Sequence, residues 1–345
     1  MADLDIELLR GFRFACRPGC GLCCFANPAV TAQERPRLLQ LAPAPELLSG
    51  DEGYWFLANR PDGGACELLD GTRCRGHAAR PFPCRSFPIS VHLGLRAQAS
   101  VVLSCPGLDL RVLDGYPDTV ARPDPIGLDD ELGSVREELA RPELAASAVD
   151  ARDAFLDAVD RQRSRSDWVD PLEFRRNLRR QRDWEGLDGY PEPAPRDDEG
   201  LDAIPLTFDP DLGVVGVSGE EERWTVRRMR EAGGAVELGT YDLPAEPPRL
   251  DGAARRLLRG FLCYQLDRDA TLGQLLSRRR GTKIDWEEEL WAAVDEAAAM
   301  VVTRAAVLAL ARGESPETLG ADGLLRGIRA ADADLLDRPT VGAVL

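Results

Sequence analysis

Cys16, Cys20, Cys23 and Cys24 place four thiols within nine residues, and Cys66, Cys74, Cys84 and Cys105 follow downstream. Thiols at this density do not fit an ordinary disulfide framework, and a bridge between the adjacent Cys23 and Cys24 would be badly strained. They suit a soft metal ion instead. Zinc and iron–sulfur clusters both accept a set of four thiolates, so eight make two four-sulfur sites, or one cluster with thiols to spare. Pro18, Gly19 and Gly21 form a tight loop whose backbone N–H groups can reach sulfur, and Arg17 adds positive charge; both favour thiolate over thiol. In a strand-like segment Cys23 and Cys24 point to opposite sides, which lets them serve two sites or leaves one to pack. Free cysteines also act as small core hydrophobes, but eight of them at Gly- and Pro-flanked positions are not core composition. Cys263, alone in an apolar helical stretch, does read as a core residue.

Other polar residues near the thiols are weaker candidates. His77, three residues after Cys74, is a ligand, a hydrogen-bond donor to sulfur, or simply a surface-loop histidine; four ligands complete a site, and eight thiols leave it little to do. Arg80 and Arg85 flank Cys84. Their charge would offset clustered thiolates, the alternative being two solvated arginines, and their fixed setting among Pro81, Pro83 and Pro88 favours the first. The only other histidine is His92, which alternates with apolar residues as a structural side chain does. No Ser/His/Asp constellation exists, so no catalytic residue is assigned. The Cys16, Cys20 and Cys23 spacing also matches the triad with which radical S-adenosylmethionine enzymes hold a cluster with one open iron. Against that, Cys24 stands ready to close the open position, and the strand–helix repeats of their barrel are missing.

The pattern Phe14-x-Cys16-x3-Cys20-Gly21-x-Cys23-Cys24, then Cys66-x-Leu68-x-Asp70-Gly71-x2-Cys74, Arg80-Pro81-x2-Cys84-Arg85-x-Phe87-Pro88 and Cys105-Pro106-Gly107, resembles the YkgJ family, a CxxCxxCC zinc- or iron-chelating domain with eight characteristic cysteines. All eight positions are filled, over about residues 12–108. Arg75-Gly76-His77 departs from the hydrophobic residue and Tyr common there. The resemblance implies a metal centre, iron–sulfur or zinc, with these eight ligands. One branch of the family resembles flagellin lysine-N-methylases, whose cysteine domain precedes a helical half; Leu257–Leu266 is faintly similar to that half. This implies a metal-dependent protein-modifying enzyme, methylase-like or an oxidoreductase, with a protein as substrate.

The chain of 345 residues has 43 basic and 59 acidic side chains, a net charge of −16, with Lys283 its only lysine. That balance disfavours nucleic acid and anionic membranes as partners. The acidic N-terminus carries no apolar run, so no signal peptide is expected. Met300–Leu310 is apolar, but Asp295, Glu296 and Arg304 in the same helix make it a core helix rather than a membrane span. The expected compartment is the reducing cytoplasm, where clustered cysteines hold metal more often than disulfides.

Around the thiols, Thr31-Ala32-Gln33-Glu34 reads as a capping box opening a helix to about Leu41. Residues 54–57 and 65–69 read as a hairpin bearing Cys66, and Asp70-Gly71 as the turn that delivers Cys74. Strands are expected at 90–95 and 97–103, then a linker or wrapping loop at 114–130. Helical patterns cover 129–141, 142–164 and 171–184, the last with a basic face of Arg175, Arg176, Arg179, Arg180 and Arg182 that is either an anion site or a solvated face. A loop at 186–203 precedes a meander of strands at 204–208, 213–217, 224–230 and 235–241 with one solvated face. Gly213, Gly216 and Gly219 lack the following helix of a dinucleotide loop and are hairpin glycines. Helices follow at 251–280, capped by Asp251, at 284–312, capped by Asp285, and at 317–334; the tail is expected to fray. The fold class is thus α+β: a cysteine-rich metal-binding module with short hairpins over residues 1–113, then a mostly helical region over 114–345 with an inserted antiparallel meander at about 204–243. Three functions fit: a metal-dependent enzyme acting on a protein, with a pocket between the halves; a non-catalytic zinc-stapled interaction protein; and a thiol redox sensor.

Overall fold

The computed structural model describes residues 4–17, 19–50, 55–71, 73–116, 122–163, 206–220, 223–244, 246–278, 285–336, 340 and 343–344. The arginine-faced helix expected at 171–184 and the loop at 186–203 lie outside the described residues. The fold is α+β, as the sequence indicates. No described helix is long and apolar enough to cross a membrane.

The main core forms around the hairpin of Ile89–Leu93 and Ala97–Val101. Leu4–Asp5 joins it in parallel along Ala97–Val101, and Ala343–Val344 joins antiparallel along Ile89–Leu93, so the tail is paired at that point rather than frayed. Both faces of the hairpin are covered, and its strands are buried almost continuously instead of alternating. The described helices are α1 (Arg35–Leu39), which lies apart from this core, and, around it, α2 (Phe82–Ser86), α3 (Asp129–Leu139), α4 (Pro142–Arg163), α5 (Gly252–Asp267), α6 (Asp269–Arg278), α7 (Trp286–Ala311) and α8 (Ala321–Leu336). Leu9, Phe12, Val91, Leu103, Phe155, Phe261, Cys263, Tyr264 and Ile328 share this core. Cys263 and His92 are buried in it, His92 edge-on to Phe155 at 5.9 Å between ring centres.

The helix expected over 251–280 is broken at Arg268 into α5 and α6. Its start is as read: the Ala254 N–H donates to the Asp251 carboxylate at 2.7 Å. The break is served from another strand. The Gln98 side chain donates to the Asp267 carbonyl at 3.0 Å and accepts the Asp269 N–H at 2.6 Å, satisfying the backbone groups released there. Arg268, 1% exposed, turns inward to Asp332 at 2.6 Å. Helical periodicity carries no trace of a break compensated by a distant side chain.

The four-stranded meander of Leu206–Asp209, Gly213–Glu220, Arg223–Met229 and Ala235–Asp242 is in sequential order, with Gly213 at a positive-φ turn. Val215, Val217, Trp224 and Val226 pack inward against Val307 and Leu308 of α7, while Arg223 and Arg228 face out.

The cysteine module departs most from expectation. Trp55–Leu57 does not pair along 65–69 but lies between Ala29–Val30 and Leu47–Ser49; the chain returns antiparallel just beyond it, with an Asn59–Cys66 bridge, the Arg60 N–H donating to the Ala65 carbonyl at 2.9 Å and the Glu67 N–H to the Ala58 carbonyl at 3.2 Å. This turn is held from outside: the Ala65 N–H donates to the Glu231 carbonyl at 3.0 Å and the Gly234 N–H to the Asp62 carbonyl at 2.8 Å. The capping box is half formed. The Thr31 N–H donates to the Glu34 carboxylate at 3.1 Å, but α1 begins only at Arg35 because that carboxylate is shared with distant groups. A separate small core of Val30, Leu38, Leu57, Cys66, Leu68 and Ala79 lies beneath these elements.

Candidate metal centre

The lead-in and the loop of Cys105 are laid side by side. Phe14 pairs with Leu108, and the Ala15 N–H donates to the Gly107 carbonyl at 3.0 Å. The approach is so close that a Cβ at position 107 would stand 2.6 Å from the Ala15 carbonyl oxygen, so the glycine of Cys105-Pro106-Gly107 is required. On the other side residues 122–127 wrap the lead-in, the Phe14 N–H donating to the Ile126 carbonyl at 2.9 Å. Cys16 follows this sandwich directly in the chain.

Gly21, at φ 59°, starts a 3-10 turn over Leu22–Phe25 that carries Cys23 and Cys24. The two are therefore not in the strand-like geometry that would send them to opposite sides. Their sulfurs meet: the Cys24 thiol donates to Cys23, which lowers Cys23 to about 7 and pushes Cys24 up. The Cys24 carbonyl accepts the Cys66 N–H at 2.6 Å. Leu69–Asp70 then turns at Gly71 and pairs with Arg73–Cys74, as the Asp70-Gly71 turn signal requires. Cys84 sits on α2, whose Phe82 N–H donates to buried Glu34 at 2.8 Å.

All eight sulfurs are free thiols, and the structure gathers them. Cys16, Cys20 and Cys105 each interact electrostatically with Cys23, as do Cys24, Cys74 and Cys84. At four of the sulfurs the backbone N–H two positions on favours the thiolate: Leu22 at Cys20, Leu68 at Cys66, Gly76 at Cys74 and Gly107 at Cys105. Burial acts in the other direction, and together with neighbouring thiolates it pushes Cys84 up to about 12; burial likewise takes Cys105 to about 12. Without metal most of these groups are thiols at neutral pH, so loading must release protons. Among the described residues no three Cys, His, Asp or Glu side chains stand in a finished ligand cage. The donor set is nonetheless chemically that of a thiophilic metal: soft free sulfurs, most of them partly shielded from water, with backbone N–H groups favouring thiolate at half of them.

The arginines divide their work. Arg80 faces the thiols, and its charge favours the thiolate at Cys16, Cys23, Cys74 and Cys84. It is held by the His77 carbonyl at 3.2 Å and the Cys84 carbonyl at 3.4 Å. His77 thus contributes its backbone, and its side chain is exposed. Arg85 is engaged elsewhere, with Glu34 at 3.4 Å and Glu137 at 3.3 Å. Two further arginines stand over the thiols. Arg60 faces Cys66 and also pairs with Glu231 at 3.3 Å. Arg329, from α8, donates to the carbonyls of Cys105 and Leu108, the latter at 2.8 Å. No local sequence signal marks Arg329, because its partners are backbone carbonyls more than two hundred residues away. Next to Cys105 and Cys16 opens a cleft of about 590 Å³ lined by Arg13, Phe14, Gly107, Arg111, Asp322 and Arg329.

No curated protein and no solved structure matches the chain. Residues 15–106, which hold all eight clustered cysteines, match the family model named CxxCxxCC and described as a “putative zinc- or iron-chelating domain”, so this part of the chain is similar to metal-chelating cysteine-cluster domains.

Proposed function

We propose that the protein is a cytoplasmic metalloprotein whose eight clustered thiolates hold an iron–sulfur or zinc centre, and that this centre serves a reaction on a protein substrate. The observation that carries the metal centre is the set of eight free thiols within the matched residues 15–106, with backbone N–H groups favouring thiolate at Cys20, Cys66, Cys74 and Cys105. A sulfur whose thiolate is already favoured by a backbone N–H is prepared to be a ligand, whereas a merely buried thiol needs no such donor. When bound, an iron–sulfur centre would supply electrons, and zinc would supply a Lewis acid or a structural tie. This chain's own residues orient the sulfurs and balance their charge, Arg80 among them. The reacting role is favoured by the exposed positions of Cys16 and Cys23 and by the cleft at Ala15 and Gly107, which Arg13 and Arg111 help to line. A lysine-N-methylase-like or other protein-modifying activity belongs to this reading.

A second reading has its own support. The small core of Val30, Leu38, Leu57, Cys66, Leu68 and Ala79 is too slight to hold the module alone, which favours a zinc staple for an interaction domain. One experiment separates the two: metal and acid-labile sulfide content, with the visible spectrum, of protein purified without oxygen. Brown protein with iron and sulfide in near-equal amounts supports the reacting centre. Colourless protein with stoichiometric zinc supports the staple. Protein that binds neither metal under reducing conditions overturns both.

A further inference from the structure

Resting on the reading that the cleft serves a protein substrate, and naming what it recognises there, we propose that the cleft at Ala15 and Gly107 binds a carboxylate group, the side chain of an acidic residue in the substrate segment. Its volume of about 590 Å³ lies in the range of sites that enclose a small organic ligand, enough for a short stretch of peptide. Three guanidinium groups and two carboxylates line it, so it carries an excess of positive charge on a chain whose net charge is −16. Clefts lined by an excess of one sign concentrate ligands of the other.

Two of the arginines are fixed in place and unanswered by any acid. The Arg13 backbone is pinned on both sides: its carbonyl accepts the Asp109 N–H at 2.9 Å, and it bridges in parallel to Ile126. Its side chain is exposed, lines the cleft, and makes no hydrogen bond or ion pair among the described residues. Arg329 of α8 is half-buried and donates to the carbonyls of Leu103, Cys105 and Leu108, the last at 2.8 Å. Carbonyls hold a guanidinium without neutralising it, and among the described residues no carboxylate stands within ion-pair reach of this one. A cation drawn out of water without a counter-ion is costly, and an incoming carboxylate supplies one. Arg111 is already taken, its Nε donating to Asp109 at 3.0 Å and its backbone N–H at 3.1 Å. The planar fork of a free arginine matches a carboxylate in two parallel hydrogen bonds, so Arg13 receives the ligand and Arg329 adds fixed charge. Phe14 and Leu325 supply apolar lining for the stem of the ligand's side chain. Asp322, in the first turn of α8, also lines the cleft and acts on Arg111 by charge; a phosphate dianion would bring a second negative charge towards it, which makes the carboxylate the better match.

The test is calorimetric titration of the full-length protein, purified without oxygen and with its metal content recorded. The ligands are two end-blocked peptides of equal length, one with Glu-Leu-Glu at its centre and the other with Gln-Leu-Gln, and free glutarate. The Glu peptide should bind about tenfold more tightly than the Gln peptide, the size expected of hydrogen bonds to a charged group. Arg13→Gln should abolish that preference with metal content unchanged, and it disturbs no side-chain bond that the fold uses. Equal binding of the two peptides, or a preference that survives Arg13→Gln, overturns the carboxylate site and leaves the protein-substrate reading standing. Glutarate bound in an Arg13-dependent way by protein that takes neither peptide supports the carboxylate chemistry, and overturns the peptide as its source together with the protein substrate at this cleft. Inorganic phosphate that displaces the Glu peptide at lower concentration than glutarate does overturns the choice of anion. Absence of binding by peptide and glutarate alike overturns the proposal outright.

Discussion

The main core and the small core under the cysteine module are held by different means. The main core closes over large side chains, Phe12, Phe155, Phe261 and Tyr264 among them, from segments spread along the chain. It also buries ionic groups with their partners supplied, Arg268 with Asp332 at 2.6 Å. The small core has six buried residues, one of them Cys66, and is bordered by Cys24 and Cys74. Its polar centre is Glu34, 4% exposed, which binds Thr31, Arg37, Phe82 and Arg85. Burial of apolar surface stabilises in proportion to area, so the first region can stand on packing, whereas the second leans on its carboxylate and arginines and, on the proposed reading, on metal. Function follows that contrast, since a region held by ligands responds to their presence.

The sharpest break of the comparison is made in the main core. A Cβ at position 260 would stand 1.7 Å from the Leu113 carbonyl oxygen, so Gly260→Ala must push α5 off the segment before it. A loss on the order of 4 kcal/mol in denaturant unfolding is expected, the size reserved for a few strained or overpacked positions; a loss under about 1 kcal/mol would show the interface to be loose. Asp332→Asn removes the carboxylate facing buried Arg268 and should cost about 3–5 kcal/mol, measured the same way with metal retained.

Removing the metal should act chiefly on the other region. A metal at a hundredfold its dissociation constant stabilises by about 2.7 kcal/mol. After chelation, amide exchange should quicken in residues 24–86 while α5, α7 and α8 keep their protection; equal loss in both would end the distinction. Glu34→Gln should lower stability by about 1.5–3 kcal/mol, as for other bonds to a charged group, and should weaken metal retention, whereas Asp332→Asn should not.

The pH dependence has opposite signs in the two states. In the chelated protein Cys84 and Cys105 titrate near 12 rather than at the usual 9.0, so folding favours their neutral form. That contribution is fully present below about pH 9 and is lost as pH rises toward 12. In the loaded protein protons compete with metal for thiolate, and stability should fall on acidification instead. Thermal unfolding of both forms from pH 5 to 11 checks the crossing. The smallest effect is expected at the exposed pair Arg223 and Asp242, whose side chains are 76% and 72% exposed. Their double-mutant coupling should stay below about 1 kcal/mol.

Cysteine identity and spacing determined the chemical class of the site, because four thiols in nine residues leave few alternatives to a soft metal. Local grammar determined much of the C-terminal half. The meander follows from alternation and turn residues, and the starts of α5 and α7 follow from Asp251 and Asp285, whose carboxylates accept the Ala254 and Glu288 N–H groups. Only the tertiary structure decided the rest. It placed Cys23 and Cys24 on a 3-10 turn with touching sulfurs, since a short run of thiols carries no period from which a helical turn could be told from a strand. It shifted the pairing expected between 54–57 and 65–69 to residues 58–67 and anchored that turn to Glu231 and Gly234, and it broke the helix at Arg268 through Gln98 and Asp332. It set Arg329 over Cys105 and turned Arg85 away to Glu34. In each of these the deciding partner lies far along the chain, and its hydrogen bonds outweigh the preference that neighbouring residues express.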